Sequence, residues 1–236
     1  MHWLKSIFIL LLIPYSSLGQ QISSVDFHDV FEEIKDQSSV YYYPVLINRM
    51  VNKDTTLTQK DYYYLYYGNV FQEYYHPYGN SNEKKAFNDL FTDQDYKMAV
   101  EKGIYVLQEN PVDLEVILKM SISYLKLDEP ELKRYYAKQY YSFLEIIYQS
   151  GDGKTMETSY VVISVDHEYD LMADMGLRAV NQQLISDCDL LFISKRDQPK
   201  IKGKKKIKKL YFNVRMPLLS LSSTYKDADL PQPDDE

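Results

Sequence analysis

The sequence predicts an α+β protein, in which an N-terminal helical domain is followed by a small antiparallel β-sheet with one short helix. From residue 24 to about residue 151 the apolar side chains recur at helical spacing. After Gly151 and Gly153 the pattern changes to short β-branched and apolar runs, which are typical of strands. The chain of 236 residues is long enough to bury a core in each of these parts.

The first residues predict a secretory signal peptide that spans residues 1–19. Lys5 precedes an apolar run over residues 7–13, and the small residues Ser17 and Gly19 follow. This order is the layout of a signal peptide, and the apolar run is too short to span a bilayer. Cys188 is the one cysteine in the chain. An exported protein without disulfides fits the periplasm or the exterior of a bacterium.

The helical domain is predicted to span residues 20–150. An apolar residue followed by Thr or Asp, with an acid three residues later, occurs at Thr58, Thr92 and Asp128. Such a pattern predicts a helix start, because the first side chain and the acid cap the free backbone amides of the first turn. The sequence therefore predicts three capped helices in this domain.

Within this domain two segments resemble the first helix of a tetratricopeptide unit. Tyr64, Tyr67, Gly68 and Phe71 have the spacing in which a small residue lets a partner helix approach. The second segment repeats the spacing with Ile117, Met120, Ser121 and Tyr124, and the second helices are expected around Ala99 and Ala137. Because the intervals between the helices depart from the regular repeat, we expect degenerate tetratricopeptide-like helix pairs rather than a solenoid.

The β-rich subdomain is predicted to span residues 151–221. Strands are expected at residues 160–165, 177–184, 190–194 and 207–214. Residues 166–175 have helical spacing and precede Gly176, which is a suitable helix C-cap. Residues 222–236 are rich in acids and contain two prolines, so they are expected to form a flexible acidic tail.

Four segments carry a family resemblance that covers nearly all of the mature chain. They are YYYPVLINRM at residues 41–50, DTTLTQKDYYYLYYG at 54–68, SGDGKTMETSYVVISVDHEYDLMADMGL at 150–177 and IKKLYFNV at 207–214. The chain resembles the uncharacterised secreted bacterial proteins grouped as domain of unknown function 4919. The resemblance implies export and a shared architecture, but it supplies no catalytic residue.

Two motifs suggest chemistry that the spacing does not support. The segment GDGKT at residues 151–155 lacks the first glycine of a phosphate loop, since position 148 is Tyr. Asp166, Asp170 and Asp174 would share one helix face next to His167, but Leu171 stands where a calcium loop needs glycine. Acids in the first turn of a helix are favourable to its dipole and are ordinarily solvated. No metal site, cofactor or catalytic residue is therefore predicted.

An aromatic loop supplies the candidate ligand-binding residues Tyr74, Tyr75, His76 and Tyr78. Pro77 and Gly79 break the helix at this point, and aromatic side chains on a loop can stack on sugar rings or grip a peptide. The alternative is that these aromatic side chains fix the loop to its own scaffold. The sequence leaves both readings open.

A lysine-rich segment at residues 200–209 supplies a second candidate surface. Its members Lys202, Lys204, Lys205 and Lys206 could dock an anionic partner such as a lipid headgroup, a polysaccharide or an acidic protein. The alternative is a solvated loop whose charges protect a strand from edge pairing. Nucleic acid is not an expected partner, because the net charge is −7 and the lysines lack interleaved aromatic residues.

The predicted function is that of an exported, non-catalytic scaffold that binds a protein or peptide in a groove of the helical domain. The alternative is a module that binds carbohydrate or another cell-envelope ligand through the aromatic loop. A less favoured alternative is an envelope hydrolase that uses the acids of residues 166–174. No membrane-spanning segment is expected in the mature chain.

Overall fold

The computed structural model describes residues 25–78, 82–196, 198 and 206–221. In these residues nine α-helices accompany a sheet of four strands, so the predicted α+β class is confirmed. The helices are α1 Phe27–Lys35, α2 Tyr43–Val51, α3 Gln59–Gly68, α4 Asn82–Thr92, α5 Tyr96–Glu109, α6 Leu114–Lys126, α7 Pro130–Gln149, α8 Asp166–Asp174 and α9 Arg215–Leu221. No helix in these ranges is both long and apolar enough to cross a membrane. The signal peptide at residues 1–19 and the tail at 222–236 lie outside the described residues.

One of the three predicted helix starts is confirmed. At the start of α3 the Asp61 amide donates to the Thr58 hydroxyl, and the Thr58 amide donates to the Asp61 carboxylate at 2.7 Å. The prediction at Thr92 is wrong, because Thr92 is the last residue of α4 and Asp95 itself caps α5. The prediction at Asp128 is also wrong, because that residue has a φ of 57° and α7 begins at Pro130 without a side-chain cap.

The helices do not confirm the tetratricopeptide-like pairing. Helix α3 packs mainly on α7, α1 and α2, whereas α5 packs on α4 and α6. The small residue Gly68 does allow a close approach, since a Cβ built there would lie 3.0 Å from the Tyr43 ring and 3.1 Å from Ile34. The elements that approach are therefore α1 and α2, and not the helix around Ala99. Helices α6 and α7, which contain the second predicted pair, do pack on each other.

The strands are β1 Tyr160–Val161, β2 Ala179–Ile185, β3 Cys188–Ile193 and β4 Lys209–Asn213, in the spatial order β1-β4-β3-β2. Strands β2 and β3 form an antiparallel hairpin, and β3 is antiparallel to β4. Strand β1 runs parallel to β4, with Tyr160 opposite Phe212. The sheet is therefore mixed, where the sequence predicted an antiparallel one. β1 is shorter than predicted because the chain leaves the sheet before α8.

Buried aromatic rings join the helices to the sheet. The rings of Tyr62, Tyr66, Tyr67, Phe143 and Phe212 are almost completely buried. The Tyr67 hydroxyl of α3 donates to the Val161 carbonyl at 3.2 Å. This buried tyrosine therefore finds a hydrogen-bond partner for its hydroxyl in strand β1. This arrangement fixes α3 against the segment that leads into α8.

Candidate functional site

Helix α8 carries a polar cluster on its buried side. His167, Glu168, Leu171 and Met172 are buried, whereas Asp166 is exposed. His167 and Glu168 lie one turn of helix before Leu171 and Met172, so the buried stripe of these apolar residues continues backward onto His167 and Glu168. The expectation of a solvated first turn is therefore wrong for these two side chains.

A buried lysine from α4 neutralises the acids around this helix. The Lys84 ammonium lies 3.0 Å from Asp113, 3.2 Å from Glu115 and 3.4 Å from Asp166. Burial alone would lower the pKa of Lys84, but these carboxylates raise the pKa above its ordinary value, so the ammonium remains charged. Asp113 also caps α6 by accepting from the Val116 amide at 3.1 Å. One cation thus connects α4, the start of α6 and the start of α8.

Two carboxyl groups of α8 lack compensation in this interior. Burial raises the pKa of Glu168 to about 9, with a further contribution from Asp189 of β3. Burial also raises the pKa of Asp170 to about 7, and the Asp113 and Glu115 carboxylates add to the shift. Both Glu168 oxygens and Asp170 Oδ2 are buried and accept no hydrogen bond from the described residues, whereas the Glu168 carboxyl lies within hydrogen-bonding reach of Asp189. Glu168 is therefore protonated at neutral pH.

The aromatic loop lies against the segment that precedes α8. Tyr75 is buried, and its hydroxyl donates to the Ile163 carbonyl at 2.7 Å. The Ser164 hydroxyl donates to the Pro77 carbonyl at 3.0 Å, which fixes the other end of the loop. Tyr75 is therefore an anchor of the loop and is not available to a ligand.

The other three candidate side chains of this loop reach solvent. Tyr74 is 37% exposed, Tyr78 is 45% exposed, and His76 is exposed. Burial raises the pKa of Tyr78, and the Asp189 and Glu168 carboxyls raise it further. The loop thus combines one structural tyrosine with two partly open rings.

A small polar pit separates the loop from α8. Its volume is about 10 Å³, and its polar lining comes from Asn69, His76, Asn110, Ser164 and His167. The Tyr66 hydroxyl and His167 Nδ1 are hydrogen-bonded at 2.8 Å. Burial, together with the Lys84 charge, lowers the pKa of His167 to about 3, so this imidazole is neutral over the physiological range. The pit has the size of about one water molecule.

The lysine-rich segment is only partly described. Lys202, Lys204 and Lys205 lie outside the described residues. Lys206 is exposed, and its ammonium donates to the Lys195 carbonyl. Docking of an anionic partner at these lysines therefore stays a prediction.

Sequence reasoning missed Lys84, Asp113 and Asp189, and it assigned Glu168 to a solvated first turn. These four residues form the polar interior of the site. The apolar stripe of α8 was a local signal for Glu168, because it lies one turn before Leu171 and Met172. No local signal marks Lys84 or Asp189, which are brought to α8 only by packing. Across the described ranges, no three His, Cys, Asp or Glu side chains are grouped as a metal ion would need.

The family described as domain of unknown function DUF4919 matches residues 28–222. The chain belongs to this family. The aromatic loop, the pit and α8 all lie inside the DUF4919 match, and the family description assigns them no chemistry. Neither a curated protein nor a solved structure matches the chain.

The Lys84 cluster predicts a large stability difference between two lysine variants. Lys84→Met should lower the free energy of unfolding by about 3–5 kcal/mol, because it leaves the buried Asp113 carboxylate without its cation. Lys102→Met removes a partly exposed pair with Glu83, so it should cost no more than about 1 kcal/mol. Urea unfolding monitored by circular dichroism measures both. Equal effects of the two substitutions would show that Lys84 does not organise the cluster.

The raised pKa of Glu168 predicts that Glu168→Gln becomes more stabilising as pH rises. Below about pH 4.5 the carboxyl is protonated in both the folded and the unfolded chain, so it contributes no pH dependence. Between that pH and about 9 only the unfolded chain ionises, which favours unfolding of the wild type. The difference in unfolding free energy between variant and wild type should therefore grow over this window. An unchanging difference, like that expected for the exposed Glu109→Gln control, would contradict the assignment.

Proposed function

We propose that this protein is an exported, non-catalytic binding protein that takes up an extended segment of a protein or peptide along strand β2. The observation that carries the proposal is an uncharged strand at the edge of the sheet. β2 ends the spatial order of strands, and within the described residues no strand pairs with its outer side. Its sequence AVNQQLI contains no charged residue and no proline.

Both faces of β2 are open to solvent. All seven of its residues are exposed or half-buried, and the apolar side chains of Val180 and Leu184 are 64% and 52% exposed. Edge strands are ordinarily protected by lysine, proline or short length, because their free amides and carbonyls can pair with another chain. β2 has a different protective feature, which is an irregular pairing register between Ala179 and Asn181. The remainder of the edge is available for strand addition.

The side chains beside β2 indicate the chemistry of the added strand. Leu184 and Gln182 face the same side of the sheet as their partners Asp189 and Leu191. On that side the Tyr169 hydroxyl of α8 donates to Gln182 Oε1 at 3.0 Å, and Tyr169 is 45% exposed. A strand added here would meet an apolar shelf of Leu184 and Tyr169. An uncharged segment with apolar residues at alternate positions fits this shelf.

The helical domain offers weaker support for a peptide groove. A hollow of about 760 Å³ beside α1 is lined by Asp29, Glu32, Glu33, Lys35, Asp36 and Gln37. Charged and amide side chains alone do not supply the apolar walls that peptide and ligand sites use. The proposal therefore places the binding surface on β2 rather than among the helices.

Selection of peptides from a random display library tests strand addition. Enriched peptides should carry alternating apolar residues and should protect the amides of β2 from hydrogen exchange. Val180→Lys with Leu184→Lys should weaken their binding by about tenfold, because two cross-strand apolar contacts are lost.

The matched control for this test is Val40→Lys with Val51→Lys, whose side chains are 72% and 58% exposed on the helical side of the protein. This control should bind the selected peptides like the wild type. Protection elsewhere than β2, or equal binding by the two double variants, would refute strand addition.

Export rests on the signal-peptide pattern of residues 1–19. Expression of the full chain in a bacterium with two membranes should give a periplasmic or secreted product whose mass corresponds to a start near Gln20. Leu11→Arg with Leu12→Arg interrupts the apolar run and should leave the uncleaved chain in the cytosol. Recovery of the uncleaved wild-type chain from the cytosol would contradict export.

Carbohydrate binding by the aromatic loop is the second candidate function. The observation that favours it is the pair of partly open rings at Tyr74 and Tyr78, which flank the loop residues that line a polar pit. Aromatic walls with a few placed polar groups are the usual composition of a ligand site. This surface is separate from the outer edge of β2, so the two functions are tested by different variants.

A further inference from the structure

We infer that the polar pit and the ring of Tyr78 form one subsite for a neutral sugar residue, in which the pit receives a single hydroxyl group. The inference rests on the second candidate function, carbohydrate binding, and names the part of the loop that would determine specificity. Its basis is the size of the pit, the chemistry of its lining and the fixed position of the loop.

The size of the pit limits what can enter it. A volume of about 10 Å³ accommodates a group no larger than a water molecule, such as one hydroxyl of a ligand. An aromatic ring, a carboxylate or an alkyl chain is too large. A ligand that uses the pit must therefore keep most of its body outside, over the loop.

The lining of the pit favours a neutral polar group. Asn110 and Ser164 offer an amide and a hydroxyl, and the neutral imidazole of His167 lies beside them. Among the described residues that line the pit, none carries a carboxylate, an ammonium or a guanidinium group. A hydroxyl group both donates and accepts hydrogen bonds, so it matches this mixed set. A charged group would lose its hydration without gaining a partner of opposite charge.

The chain that lines the pit continues directly into an aromatic residue with an exposed side chain. Pro77 lines the pit, and the following residue, Tyr78, exposes 45% of its side chain. The hydrogen bonds of Tyr75 to Ile163 and of Ser164 to Pro77 fix the loop on both sides of His76. A sugar ring that covers Tyr78 can therefore direct one hydroxyl into the pit without reordering the loop. Such preorganisation lowers the entropic cost of binding.

Affinity electrophoresis of the mature protein in native gels tests this subsite. The probes are the soluble neutral polysaccharides laminarin, dextran, galactomannan and xyloglucan, with the polyanion alginate as a charged comparison. At least one neutral polysaccharide should retard the wild type. Tyr78→Ala removes the ring, and Asn110→Leu removes an amide from the pit at similar volume. Each should weaken retardation by about tenfold, the effect of losing one well-placed contact.

The matched control is Tyr141→Ala, which removes a ring that is 59% exposed on α7. It should be retarded like the wild type, and circular dichroism should show that all variants are folded. Retardation lost in both site variants and kept in the control supports the subsite. If wild type and Asn110→Leu are retarded equally, the pit has no part in binding, although carbohydrate binding stands. If no polysaccharide, or alginate alone, retards the wild type, both the subsite and the second candidate function are overturned.

Discussion

The charge of Lys84 is the interaction on which the rest of the site depends. Its ammonium is buried between α4, the start of α6 and the start of α8, and it contacts acids from two of these helices. Burying an ammonium is costly unless carboxylates surround it, and burying those carboxylates is costly without the ammonium. The three helices therefore hold their positions together. Because α8 is fixed in this way, His167 lies at the pit and Glu168 lies opposite β3.

Tyrosine hydroxyls provide the second constraint, because they satisfy backbone groups where the chain leaves the sheet. At the end of β1 and before α8, the Val161 carbonyl accepts from Tyr67 of α3, and the Ile163 carbonyl accepts from Tyr75 of the aromatic loop. Both tyrosines are far from these carbonyls in the sequence. A buried carbonyl without a partner would be destabilising, and a tyrosine brings both a partner and a large apolar ring. The tyrosine-rich segment around α3 therefore has mainly a structural role. The same device fixes the loop that leaves the rings of Tyr74 and Tyr78 partly open.

The sequence predicts those features of the fold that depend on neighbours in the chain. The capping box at Thr58 and Asp61 and the helix ending at Gly176 were predicted correctly, because each is decided within a few residues. The same pattern at Thr92 predicted a helix start that is wrong, since Asp95 alone provides the cap. Long-range pairing was beyond sequence reasoning. Nothing near Lys84 indicates Asp113 or Asp166, and nothing in the aromatic loop distinguishes the buried Tyr75 from the open Tyr78 on either side of Pro77.

The buried carboxyls of Glu168 and Asp189 connect the stability of the protein to the two proposed surfaces. Gln182 of β2 receives a hydrogen bond from Tyr169 and donates one to Asp189 at 2.7 Å, and Asp189 faces the buried Glu168. The same acid pair raises the pKa of Tyr78. An interior optimised only for stability would place a cation beside these acids or replace them, because burying carboxyl groups without an opposite charge is unfavourable. Proteins accept such costs most often where function requires a particular arrangement of side chains. The acid pair is thus linked to β2 through the hydrogen bond from Gln182 to Asp189 and to the aromatic loop through its effect on the pKa of Tyr78.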